Sequence, residues 1–267
     1  MQGFFYVRLD TMPKISAVII TFNEEQNIAR CMQSLVHVVD EIVVIDSGST
    51  DQTVPICLKF NAKVVVHAFE GHIEQKNYAL TQASNDWVLS LDADEALSPI
   101  LAESIKSVMQ ANPQTGYTMN RLNNYCGAWI KHGSWYPDRK LRLFNRKEVR
   151  WTGVNPHDKA EPFEQKNIFH LKGDLLHYSY KSVQEHINRV DFFSTIAAKA
   201  YFSQGKKCRW HHLLIRPAHA FVRDYILRMG FLDGYNGWVI ARFASYYTYL
   251  KYVKLKDYQR RASNELS

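Results

Sequence analysis

The sequence predicts an α/β fold with a mainly parallel sheet, followed by a basic, aromatic helical segment at the C-terminus, and three observations carry that reading. Short β-branched apolar runs alternate with stretches of helical periodicity through the first hundred residues. Three of those runs end in polar, acid-rich clusters. The basic excess is confined to the tail: residues 199–267 hold 13 Lys+Arg against 4 Asp+Glu, a balance of +9, whereas residues 1–198 hold 20 against 22, a balance of −2.

Residues 1–13 read as an N-terminal extension. They contain Arg8 and Asp10 and no long apolar stretch before a small-residue cleavage site, so no secretory signal is expected, and Met12 is itself a natural start. The run 15–20 is the first strand, and Thr21-Phe22-Asn23-Glu24-Glu25 leads from it into a helix. Ile28, Cys31, Met32 and Leu35 fall at i, i+3, i+4 and i+7, which gives that helix one buried face. Apolar runs at 42–45, 64–66 and 87–91 are the next strands, separated by helices around 54–60 and 73–83. Strands alternating with helices imply right-handed crossovers and a parallel sheet.

Ser98-Pro99 is an N-cap with proline at the first helical position, and it opens a helix with Leu101, Ile105 and Val108 on one face. Residues 117–160 are rich in Trp, Tyr, Arg and Gly and poor in periodicity, as expected of mixed strands and loops over a ligand. Ser182 and Glu185 form a capping box before a helix ending near Gly205, with Val183, Ile187, Val190, Ile196, Ala197 and Ala200 expected on its inner side. The resulting organisation is an extension at 1–13, a catalytic domain at 14–205 divided at 97/98, and a helical appendage at 206–267.

The 267 residues, 46% of them hydrophobic, are enough for a full core. The four cysteines form no C-x-x-C pair and read as ordinary core thiols of a reducing compartment. Arg228, Asp233 and Arg242 interrupt the most apolar C-terminal stretch, so no spanning helix is expected.

The chemistry-bearing residues gather where an α/β sheet binds ligands, beyond the carboxyl ends of its strands. Asp92-Ala93-Asp94 ends the run 87–91, and a strand-like period of two turns both carboxylates to one face. Hard divalent cations that bridge a diphosphate take such oxygen ligands. After the second strand, Asp46 in Asp46-Ser47-Gly48-Ser49-Thr50-Asp51 is suited to accept a hydrogen bond from the imide N–H of a uracil-like base. A Gly-containing turn with Asp51 capping the next helix accounts for the same segment. Arg139, Lys140 and Arg142 follow Trp135-Tyr136, a basic group beside aromatics that suits phosphate charge and a sugar ring at an acceptor site.

Ile19-Ile20-Thr21-Phe22-Asn23-Glu24-Glu25, then Val44-Ile45-Asp46-Ser47-Gly48-Ser49-Thr50-Asp51, then Leu91-Asp92-Ala93-Asp94-Glu95, in that order and spacing, resemble the signature of family 2 glycosyltransferases. Gln75-Lys76-Asn77, Gly133-Ser134-Trp135-Tyr136-Pro137-Asp138 and Arg142-Leu143-Phe144 resemble the branch with bacterial lipopolysaccharide core β-glucosyltransferases.

The resemblance implies a GT-A fold, an inverting displacement at the sugar C1, and a Mg²⁺ or Mn²⁺ cofactor. It implies that Thr21, Asn23, Glu25 and Asp46 hold the nucleoside, that Lys76 lies near it or the phosphates, and that Asp92 and Asp94 serve ribose and metal. It places the catalytic base at Asp158, where the pattern carries Glu and this chain a side chain one methylene shorter, with Asp138 in reserve. It makes His177 a third metal ligand, and Trp135, Tyr136, Arg139 and Arg142 acceptor or phosphate contacts. The implied donor is UDP-glucose and the implied acceptor a glycolipid such as lipopolysaccharide core.

In the tail, Trp210, Leu214, Phe221, Ile226, Met229 and Phe231 are interleaved with Arg209, Arg216, Arg223 and Arg228, a pattern that suits an amphipathic element on anionic lipid. Tyr246, Tyr249 and Tyr252 with Lys251, Lys254 and Lys256 extend it. The expected location is cytoplasmic, peripheral on the inner face of the bacterial cytoplasmic membrane. A tail packed on the core, or a homodimer through the C-terminal helices, is the competing reading.

Two further functions share some features. A sugar nucleotidyltransferase also uses a parallel sheet and carboxylates, but no Gly-rich phosphate loop is present. A non-catalytic membrane- or nucleic-acid-binding protein suits the basic tail, whereas paired strand-end carboxylates oppose a nucleic-acid groove. No nucleic-acid partner is expected.

Overall fold

The computed structural model describes residues 12–111, 113–154 and 157–264, so residues 1–11 of the expected extension lie outside the described residues. The chain divides into two compact units. The first comprises the residues up to Asn120 together with Arg139–Leu176, and the second comprises Arg121–Asp138 with the residues from His177 onward.

The first unit opens with β1 (Ile15–Thr21), α1 (Ile28–Leu35), β2 (Glu41–Asp46), α2 (Thr53–Lys59), β3 (Lys63–Val66), α3 (His72–Gln82) and β4 (Trp87–Asp92), and β1 pairs in parallel with both β2 and β4. Along the chain there follow β5 (Glu95–Leu97), α4 (Pro99–Gln110), β6 (Gly116–Tyr125), β7 (Ala128–Ile130), β8 (Asp138–Asn145), β9 (Val149–Val154), β10 (His157–Pro162) and β11 (Ile168–Tyr180), of which β7 and the ends of β6 and β11 belong to the second unit. The sheet runs β3-β2-β1-β4-β8-β6-β11-β5, with β8 antiparallel to β4, while β9 and β10 form a separate hairpin.

Ile28, Cys31, Met32 and Leu35 of α1 are all buried, as their spacing predicts. They join Ala17 and Ile19 of β1, Val44 of β2 and Leu89 and Leu91 of β4 in one core, and a second apolar cluster holds Val18, Val43, Ala79, Val88 and Phe144. Ser98 caps α4 by accepting the Leu101 N–H at 3.3 Å. Its hydroxyl also accepts the Asp174 N–H at 3.1 Å.

The second unit holds α5 (Val183–Ser203), α6 (Trp210–Val222), a π-helical turn (Arg223–Leu227), a 3-10 turn (Gly230–Asp233) and α7 (Gly234–Asn264). Ser182 caps α5 as expected, accepting the Glu185 N–H at 3.1 Å. The inner face of α5 differs from the one expected: His186, Val190, Ser194 and Ala198 are buried, and Val183, Ile187 and Ile196 are exposed. Small residues let α5 approach α7 closely, and Ala198 packs with Tyr252 and Leu255. The longer segment of the second unit begins at His177.

Cys31 and Cys57 are core thiols, but Cys126 is exposed in the turn between β6 and β7, where its φ is 50°, and Cys208 is half-buried. Among the described residues no helix is long and apolar enough to cross a membrane.

Candidate functional site

Parallel register brings the acid-rich clusters to one edge of the sheet. Thr21 at the end of β1 is level with Asp46 at the end of β2, and Ile20 is level with Asp92 at the end of β4. The loops beyond are tied to each other. Asn23, in the left-handed region at φ 52°, donates its N–H to Ser49 Oγ at 2.8 Å and accepts the Thr50 N–H at 2.9 Å. Glu25 accepts the Gln52 N–H at 3.0 Å.

Asp46 is buried, and its Oδ2 accepts the N–H groups of Gly48 at 3.0 Å and Ser49 at 2.8 Å. Gly48 sits at φ 90°, a conformation that costs a side-chain-bearing residue far more. Asp51 accepts the Thr53 N–H at 2.9 Å in the first turn of α2. The hydroxyl of Thr21 is buried without a partner among the described residues, an orphan at the mouth of this edge.

A cluster of charges lies beside it. Lys76, buried on α3, reaches Asp92 Oδ1 at 2.9 Å and Asp158 Oδ2 at 2.8 Å, and its ammonium lies 4.4 Å from the centre of the Trp151 ring. Arg142 on β8 is also buried, and its Nη2 donates to Glu95 at 2.7 Å and Asp92 at 3.0 Å. Burial alone would lower the guanidinium pKa, but Glu95 and then Asp92 hold it above its ordinary range. Glu95 also accepts the Asp92 N–H at 3.0 Å, which fixes the carboxylate-bearing turn.

Asn77 clamps the hairpin to α3, accepting the Trp151 N–H at 3.0 Å and donating to its carbonyl at 2.9 Å. Arg142 Nε and Nη1 and the Trp151 indole N–H are buried with no partner among the described residues, so the cluster holds more donors than it uses.

Of the site residues the sequence nominates, Asp92, Lys76, Asp158 and Arg142 therefore meet in one cluster. Arg139 is exposed, whereas Arg142 is buried, drawn inward by the carboxylate of Glu95. Asp94 lies in a turn between β4 and β5, not on an extended strand, with Ala93 buried between the two half-buried aspartates.

Asp138, His177, Trp135 and Tyr136 belong to the second unit. Asp138 pairs with Arg121 at 2.8 Å. Asn123 donates to the Trp135 carbonyl at 3.1 Å, which turns its Oδ1 to His177 Nδ1 at 2.6 Å and makes that ring nitrogen the protonated one. The Trp135 ring packs into an aromatic cluster, stacked on Tyr180 at 5.4 Å and edge-on to Tyr125 at 5.7 Å. Tyr136 lines a cavity of 390 Å³ with Ser134, Pro137, Leu227, Arg228 and Met229.

The sequence reading missed Glu95, Trp151 and Gln75. Gln75 is buried, donates to Ser47 Oγ at 3.1 Å and accepts from His67 Nδ1 at 2.8 Å, bracing the loop after β2. Glu95 was visible as the third acid of Asp92-Ala93-Asp94-Glu95; Trp151 carried no local signal.

The family model described as Glycosyl transferase family 2 matches residues 16–164. An uncharacterized glycosyltransferase of Rickettsia typhi is 33% identical over 268 residues, covering 96% of this chain and 91% of that protein. The lipopolysaccharide core biosynthesis glycosyltransferase LpsC of Rhizobium meliloti is 30% identical over 261 residues, covering 94% of this chain and 95% of that one. A crystal structure of glucosyl-3-phosphoglycerate synthase from Mycobacterium tuberculosis, in complex with Mn²⁺, UDP and glucosyl-3-phosphoglycerate, matches at 26% identity, covering 42% of this chain and 44% of that chain with a TM-score of 0.35. The fold is the GT-A type.

Proposed function

The chain belongs to glycosyl transferase family 2 and is a transferase, and from that premise we propose that it moves glucose from UDP-glucose to a glycolipid of the lipopolysaccharide core at an anionic membrane surface. The observation that carries the reading is the meeting of Asp92, Lys76, Asp158 and Arg142 beside the ends of β1, β2 and β4. The similarity to LpsC over nearly the full length of both chains supports the acceptor class.

In this reading the Thr21–Glu25 and Asp46–Asp51 loops form the nucleoside face, with the unpartnered Thr21 hydroxyl available to a ligand oxygen. Among the described residues no group of three His, Cys, Asp or Glu side chains could hold a metal by itself. Mg²⁺ characteristically binds through one or two carboxylates plus substrate phosphates, so a carboxylate in the Asp94 turn fits that donor set. Bound there, Mg²⁺ or Mn²⁺ would offset the charge of the departing diphosphate.

Asp158 takes the proton from the acceptor hydroxyl, whose oxygen forms the new bond to C1 as the bond from C1 to the UDP oxygen breaks on the opposite face. Lys76 holds the Asp158 carboxylate in position. Tyr136 and Arg139 contribute to the acceptor side.

UDP release by the purified chain from UDP-glucose and other nucleotide sugars, with and without Mn²⁺ or Mg²⁺, tests the reading. Metal-dependent UDP release from UDP-glucose supports it, and release from a different donor alone reassigns the sugar. Pyrophosphate release in place of UDP, or binding of no donor, overturns it. Asp94→Ala is expected to abolish metal-dependent transfer with the fold intact.

A further inference from the structure

We propose that the turn running from the π-helical to the 3-10 segment of the second unit is a preformed wedge that inserts into an anionic phospholipid bilayer. This rests on the membrane-borne acceptor of the reading above and specifies the element that reaches the membrane.

Apolar exposure comes first. Ile226, Leu227, Met229, Phe231, Leu232 and Tyr235 are each between 45% and 75% exposed, on a stretch of ten residues. Scattered exposed apolar side chains are ordinary, but six large ones on one short turn are a patch of the kind that marks an interaction surface.

The turn is also rigid by construction. Met229 is in the left-handed region at φ 57°. A Cβ on Gly230 would stand 2.5 Å from the Asp224 carbonyl oxygen, and one on Gly237 would stand 1.8 Å from the Gly230 carbonyl oxygen. Backbone therefore packs on backbone where α7 crosses the turn. Its apolar side chains are held outward, so little ordering remains to be done on insertion.

Charge selects the partner. Asp224 and Asp233 are the only acidic residues between 199 and 256, and both are turned inward. Asp224 is buried and binds Arg223 at 2.7 Å and the Ser134 hydroxyl at 2.9 Å. Asp233 accepts the N–H groups of Lys131 at 3.1 Å and His132 at 2.8 Å. Arg216, Arg228 and Arg242 are exposed. A surface that hides its carboxylates and projects arginines around an apolar turn complements anionic headgroups over acyl chains.

The same two aspartates fasten the wedge to residues 131–134, the loop that leads into Tyr136, and Gly133 donates its N–H to the Arg228 carbonyl at 2.9 Å. Contact with lipid is thereby tied to the loop assigned to the acceptor.

The test is co-sedimentation of the full chain with phosphatidylcholine vesicles, with and without phosphatidylglycerol. The wild type is expected to bind only where phosphatidylglycerol is present. Ile226→Ser combined with Leu232→Ser is expected to weaken that binding about tenfold or more, with unchanged far-ultraviolet circular dichroism and unchanged UDP release from soluble donor. Arg228→Gln with Arg242→Gln is expected to lower binding and flatten its salt dependence.

Wild-type vesicle affinity in the double-serine variant overturns the proposal. So does its conversion of a dimer to a monomer in sedimentation velocity with vesicle binding unaltered, which would make the face an interface between copies. Loss of UDP release in the wild type would instead count against the transferase reading, since that assay needs no membrane.

Discussion

Removing the Arg142 guanidinium is the sharpest test of how the charge cluster is held. Arg142→Met keeps much of the side chain's apolar bulk but leaves Glu95, fully buried, without the cation 2.7 Å away, and takes a cation from Asp92. Breaking a buried pair by deleting one partner costs about 3–5 kcal/mol, because the surviving charge has lost both water and counter-ion. At about 2–4 °C per kcal/mol for a chain of this size, the thermal midpoint should fall by about 6–20 °C.

Urea unfolding followed by tryptophan fluorescence reads the loss directly. The double variant Arg142→Met/Glu95→Gln should recover about 2 kcal/mol of it, because the amide can still accept the Asp92 N–H that Glu95 accepts at 3.0 Å without carrying a charge. A single-variant cost below about 1 kcal/mol, within the range of a solvated surface pair, would refute the argument that the Arg142–Glu95 pair is sealed from water.

Asp158→Asn should lower the transfer rate by about 10²–10⁴-fold with donor affinity little changed, measured as a split between kcat and KM. Gly237→Ala should cost about 3 kcal/mol in urea unfolding, since its Cβ would overlap a backbone carbonyl oxygen that cannot move aside. His186 is buried against Tyr180 and Phe243, and burial, reinforced by Arg189 and opposed by Glu185, pushes its pKa down to about 4 from an ordinary 6.5. The unfolded chain then takes up this proton before the folded chain does, so stability is complete above 6.5 and falls as pH drops toward 4, by about 3 kcal/mol at most. In His186→Phe the slope of unfolding free energy against pH should flatten across that window.

The first unit was largely legible because its signals are local. One turn's spacing places the buried face of α1, and an apolar run ending in polar residues marks each strand end. Parallel register then brings those ends together without further information. The second unit depends on pairing between segments far apart in the chain, 121–138 with the residues from 177 onward, and no local period records such a pairing. On α5 the packed face is made of Ser194 and Ala198 as much as Val190, so counting large apolar residues pointed to Ile187 and Ile196, which are exposed. The burial of Arg142 was hidden for a related reason: it stands in a run of cations with Arg139 and Lys140, and only its partner 47 residues earlier explains why it turns inward.

The sum of charges in the cluster bears on what it can accept. Lys76 and Arg142 supply two positive charges, and Asp92, Glu95 and Asp158 supply three negative ones, so the buried group is one charge short of neutrality before Asp94 is counted. A nucleoside diphosphate arriving at the ends of β1, β2 and β4 brings more negative charge into surroundings where screening is weak. Both buried cations already balance carboxylates of the cluster, so the unused Arg142 N–H groups offer hydrogen bonds but no uncompensated charge. Arg142 is paired with Glu95 and Asp92, and withdrawing Lys76 would loosen Asp158 and take a cation from Asp92. Diphosphate binding here therefore calls for positive charge from outside the cluster, and a divalent cation at the Asp94 turn is the compact way to supply it.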